Sequence, residues 1–86
     1  MAKVVASYEI GVAYEQWKTL FLANEETRNS AGIKTVYYGH ELDNEQKLHV
    51  VLEAPDIEEF KQFMAKNAEK MKEAGVKPET MAFCTD

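Results

Sequence analysis

Glu15–Lys34 (EQWKTLFLANEETRNSAGIK) and Glu58–Lys77 (EEFKQFMAKNAEKMKEAGVK) align without gaps at an offset of 43, with seven of twenty positions identical. Trp17 falls on Phe60, Leu20-Phe21 on Phe63-Met64, Asn24 on Asn67, and Ala31-Gly32-Ile33-Lys34 on Ala74-Gly75-Val76-Lys77. Each segment reads as a helix that buries an aromatic side chain near its start and ends in a glycine-capped turn into an apolar strand. Shared helix chemistry can produce such likeness, so it speaks for the fold and not for ancestry.

The flanking residues complete the pattern. Lys3–Ile10 (KVVASYEI) alternates as a strand with Val4, Ala6, Tyr8 and Ile10 on one face and Val5, Ser7 and Glu9 on the other. The first helix is expected from Ala13 to about Asn29, with Gly32 as the residue after its cap. Ile33–Leu42 and Lys47–Glu53 are strand-like runs joined by Asp43-Asn44-Glu45-Gln46, a polar stretch of turn formers, and together predict a β-hairpin. The second helix opens after Pro55 with Asp56 as N-cap and Glu59 three residues on, carries Ile57, Phe60, Met64 and Met71 as its apolar stripe, and is closed by Gly75 and Pro78. Thr80–Cys84 is a short last strand. The order β-α-β-β-α-β is that of an α+β, ferredoxin-like split βαβ, a single domain over residues 1–86.

Composition narrows the function classes. The 86 residues are 45% hydrophobic and 29% charged, as in an ordinary globular chain, so a packed core is expected. Ten basic against fifteen acidic residues give a net charge of −5, without the basic field that nucleic acid or an anionic membrane requires. No apolar run approaches the length of a bilayer span, and the start Met1-Ala2-Lys3 leads into a strand and not a signal peptide. The expectation is a cytoplasmic protein that touches neither membrane nor nucleic acid. One cysteine, Cys84, forms no internal disulfide and has no second thiol for a zinc site. No phosphate-loop, dinucleotide, nucleophile-elbow or EF-hand pattern occurs, so no cofactor is expected.

The element order, the length and the Trp-containing first helix resemble the dimeric α/β-barrel superfamily, over nearly the whole chain. That superfamily includes antibiotic-biosynthesis-type monooxygenases, haem-degrading monooxygenases, polyketide cyclases, stress-responsive barrel proteins and small stand-alone members without assigned activity. The resemblance implies sheet order 4-1-3-2, both helices on one face, and a homodimer in which the other face meets a second copy. It carries no catalytic residue across. The only Trp, Trp17, lies on the first helix and Phe60 holds the equivalent place on the second, a departure that argues against haem chemistry.

Two groups of residues are candidates for function. His49 shares its strand face with Lys47, Val51 and Glu53, opposite Leu48, Val50 and Leu52; as a group that titrates near neutrality it is the candidate proton carrier, with Glu9 or Ser7 of the neighbouring first strand to orient it. Tyr8, Trp17, Tyr37, Tyr38, Phe60 and Met64 are the candidate lining of a ligand cavity. Tyr37 and Tyr38 must point to opposite faces of their strand. His40, beside Gly39 at the hairpin end, reads as a surface residue, and two histidines without further ligands make no metal site. Arg28, the only arginine, is accounted for by the helix dipole, though it has the geometry to clamp a carboxylate. The reading is a homodimer that binds a small apolar or aromatic molecule, in its sharper form a cofactor-independent monooxygenase, cyclase or isomerase. The alternative is a non-catalytic structural or regulatory interaction module.

Overall fold

The computed structural model describes residues Met1–Asp86. The chain runs β1 (Ala2–Glu9), α1 (Tyr14–Ala23), α2 (Glu25–Ser30), β2 (Lys34–Glu41), β3 (Asn44–Ala54), α3 (Ile57–Lys66), α4 (Ala68–Glu73), a 3₁₀ turn (Pro78–Thr80) and β4 (Ala82–Thr85). The four strands form one antiparallel sheet in the order β2-β3-β1-β4, the ferredoxin-like arrangement. Read from the other edge this is the expected 4-1-3-2.

Alternation along the two central strands sets the layers. Val4, Ala6, Tyr8 and Ile10 are buried on β1 and the residue after it, and Leu48, Val50, Leu52 and Ala54 on β3. They pair across the strands, Val4 with Leu52, Ala6 with Val50 and Tyr8 with Leu48, so one face is a continuous apolar surface. The helices cover that face with Trp17 and Phe60, which are 1% and 4% exposed. Trp17 stacks on Phe21 with ring centroids 4.7 Å apart, and Phe60 meets Phe83 of β4 edge to face at 5.5 Å. The equivalence of Trp17 and Phe60 in the two halves is thus an equivalence of position in the core.

Four features differ from the sequence expectation, each for a local reason. The helix expected as one piece from Ala13 to Asn29 is two, α1 and α2, because the backbone leaves helical geometry at Asn24. The second helix divides the same way at Asn67. The hairpin turn is Leu42-Asp43 alone, and β3 begins at Asn44, since the polar residues Asn44–Lys47 continue the ladder, Asn44 paired with Glu41 and Lys47 with Glu9. The last strand starts at Ala82 and not Thr80. The Thr80 hydroxyl donates to the carbonyl of Lys77 and accepts from the backbone N–H of Glu9 at 2.8 Å, so its side chain takes the place of a ladder bond. The Asp56 cap is present, its carboxylate accepting from the N–H of Glu59 at 2.8 Å.

Candidate functional site

Two places gather the candidate residues, and the sheet separates them. The first lies between the helices and the sheet. Trp17, Leu20 and Phe21 of α1 and Phe60, Phe63 and Met64 of α3 face each other over Tyr8, Val50 and Leu52, and leave a cavity of about 90 Å³. Of its 19 lining residues 14 are hydrophobic, so it favours an apolar guest over water. Tyr8, Trp17, Phe60 and Met64 of the sequence reading all line it. Met64 and Met71 make part of its wall compliant, because an unbranched thioether side chain re-packs easily.

Its polar side chains are Asn24, Thr27, Arg28, Asn67 and Lys70, beside the phenol of Tyr8. The Tyr8 phenol is buried beside Trp17, and loss of hydration pushes its pKa well above the usual tyrosine value; the neighbouring Trp17 indole and the Arg28 charge act in the opposite direction and are outweighed. Arg28 is 6% exposed. Its Nε donates to the Thr35 hydroxyl at 3.2 Å, and its guanidinium lies 3.8 Å over the Phe21 ring, a cation–π contact. Burial lowers its pKa, opposed by the nearby charge of Glu25 and by Tyr8. Its Nη2 is buried without a partner.

The second place is the opposite face of the sheet, which no helix covers. Val5, Ser7 and Glu9 of β1 pair there with Val51, His49 and Lys47 of β3. The His49 imidazole Nε2 is 2.9 Å from a carboxylate oxygen of Glu41. The sequence reading oriented His49 by Ser7 or Glu9; Ser7 is its register partner across β1, Glu9 faces Lys47, and the carboxylate in hydrogen-bond contact comes from β2. The phenol of Tyr37 lies over Gly39, which pairs with His49, so Tyr37 belongs to this face and is 55% exposed. Tyr38 points the other way and packs on Trp17 and Phe21, with ring centroids 6.2 and 5.4 Å away. It stands beside the cavity, in an adjoining edge pocket with Arg28, and not in its lining. His40 lies on the helix side against Tyr14, at 4.6 Å, so the two histidines occupy opposite faces.

Sequence reasoning missed one contributor and set another aside as explained by the helix dipole. Glu41 reaches His49 where the β2–β3 register shifts between His40 and Glu41, an irregularity that no sequence pattern announces. Arg28 left a signal: with Trp17, Phe21 and Asn24 it continues the apolar stripe of the first half, and its counterpart in the second half is Met71. A charge on that stripe was the departure to follow.

The fold recurs in solved structures. An antibiotic biosynthesis monooxygenase superposes with a TM-score of 0.67 at 15% identity, covering 100% of this chain and 96% of that one. A mutant of SnoaB, a cofactor-independent oxygenase from Streptomyces nogalater, gives 0.67 at 13% identity over 99% and 89% of the two chains. A Deinococcus radiodurans protein, provisionally assigned as an antibiotic biosynthesis monooxygenase, gives 0.65 at 7% identity over 100% and 90%. Identities this low establish the shared ferredoxin-like architecture alone. No curated protein sequence matches the chain. No helix is long and apolar enough to cross a membrane. One family does match in sequence, a domain of unknown function (DUF3764), and since the match runs over residues 1–85 the chain belongs to that family.

Proposed function

We propose that this protein is a small-molecule-binding homodimer whose ligand, an apolar or aromatic compound, occupies the cavity between the helices and the sheet. The observation that carries this reading is the apolar lining of that cavity, in which Tyr8, Trp17, Phe60 and Met64 converge. An open space among aromatic rings and methionines is costly to leave unfilled, and its walls can adjust to a guest. The net charge of −5 disfavours nucleic acid as the partner. The second copy is placed on the open sheet face, where Val5, Tyr37 and Val51 offer apolar surface beside His49 and Glu41.

The test is native mass spectrometry on protein purified from its source, compared with Met64→Trp, which fills the cavity. A small-molecule adduct present in the first and absent in the second supports the reading. An adduct that survives the substitution puts the ligand outside the cavity, and no adduct at all favours the interaction module; either result contradicts the reading.

The contact between His49 and Glu41 favours a second, enzymatic reading, in which His49 moves a proton on a substrate enclosed between the two open faces of a dimer. His49→Gln keeps size and polarity. On that reading it leaves folding intact and lowers turnover by about two to four powers of ten. Full activity of His49→Gln on a substrate found by screening excludes it.

A further inference from the structure

We infer that the ligand of the interlayer cavity carries a carboxylate, and that Arg28 is the residue that holds it. The inference rests on the cavity being the binding site, as proposed above, and adds the chemical class of the guest.

Arg28 is a buried cation with an unfinished set of partners. A guanidinium presents five N–H donors and cannot shed its charge near neutral pH. Here one donor is met by Thr35, the ring of Phe21 covers one face, and Nη2 is buried with nothing to bond. No carboxylate lies within ion-pair distance of it; the one such contact in the molecule, His49 with Glu41, is on the far side of the sheet. Glu25, one turn earlier on α2, acts on Arg28 through its charge and forms no ion pair with it. An unneutralised charge among apolar groups is destabilising, and the second half of the chain shows what the position needs for packing alone, since Met71 stands at the equivalent place.

The chemistry of the guest follows from what Arg28 lacks and what surrounds it. The planar fork of a guanidinium matches the two oxygens of a carboxylate. Tyr8, whose phenol burial keeps protonated, lines the same cavity as Arg28 and is a candidate second donor. The rest of the lining is mostly apolar, led by Trp17, Phe60, Phe63 and Met64, with Asn24, Thr27, Asn67 and Lys70 as its other polar side chains, so the rest of the guest is aromatic or compactly aliphatic. A cavity of about 90 Å³ allows one ring-sized body once Met64 and Met71 yield.

Benzoate and its neutral isostere benzamide separate the charge from the cavity. Both are titrated into isotope-labelled protein while the indole N–H of Trp17 and the Nε–H of Arg28 are followed by NMR. Benzoate is expected to bind about tenfold or more tighter than benzamide. Arg28→Met is expected to reduce benzoate to the level of benzamide, to leave benzamide unchanged, and, without ligand, to melt no lower than the wild type. Equal affinity for the two probes overturns the role of Arg28 and leaves the cavity reading standing. Failure of both probes to shift the Trp17 signal at millimolar concentration overturns both. An Arg28→Met protein that melts far below the wild type also overturns the inference, because Arg28 is then structural.

Discussion

Asn24 and Asn67 stand at equivalent positions of the two halves and perform the same act. Each side-chain amide donates to the carbonyl four residues earlier, Leu20 at 3.0 Å and Phe63 at 2.9 Å, and at each the helix is interrupted and begins again. An asparagine amide that competes for backbone carbonyls in this way is poorly suited to a helix interior. Both also line the cavity. The segment after the first break, α2, carries Arg28, which is buried.

The halves also end alike, and this gives a stability prediction. Gly32 and Gly75 have φ of 78° and 89°, where an L side chain is strained, and a Cβ on Gly75 would come within 2.7 Å of a Val12 methyl. Gly75→Ala should destabilise the protein by about 1–3 kcal/mol. Chemical denaturation measures it; an unchanged midpoint would mean that the turn can relax without the left-handed residue.

Tyr8 predicts the behaviour at high pH. Its phenol has a pKa raised above the ordinary 10.0 by burial, so the unfolded chain releases this proton first. The sign is fixed by that order: the contribution is fully present below the unfolded pKa, about 10, and is lost as pH rises beyond it. Alkaline titration followed by tyrosinate absorbance should show one tyrosine that ionises only with unfolding. Tyr8→Phe should remove that component, and a Tyr8 that titrates reversibly in the folded protein would contradict the account.

The open sheet face predicts assembly. Val51→Asp places a charge at the centre of that face, beside Val5, while leaving the helix side untouched. Light scattering should report a dimer for the wild type and a monomer for the variant, with far-ultraviolet circular dichroism unchanged. A monomeric wild type at micromolar concentration would remove the dimer from the proposal.

Much of the fold was legible because local rules agreed with one another. Val4, Ala6, Tyr8 and Ile10 alternate, Trp17 and Phe60 recur at helical spacing, and Gly32 and Gly75 mark the same turn. The helix breaks were harder to read, since Asn24 and Asn67 lie on the apolar stripe and differ from ordinary stripe residues only in what their amides bond to. The site was legible as a list of aromatics and not as a place. Tyr37 and Tyr38 had to part, but only the register with Val51 and Val50 assigns them to their faces. The same register, shifted after His40, supplies Glu41 to His49, and long-range pairing of this kind leaves no local trace.

The central claim is that a small molecule binds on the helix side of the sheet. Its most direct test is the set of intermolecular nuclear Overhauser contacts between the protein and toluene, a neutral aromatic probe. The account predicts contacts to the methyl groups of Val50, Leu52 and Met64 and to the indole of Trp17. Contacts confined to Val5 and Val51 on the open face would contradict it.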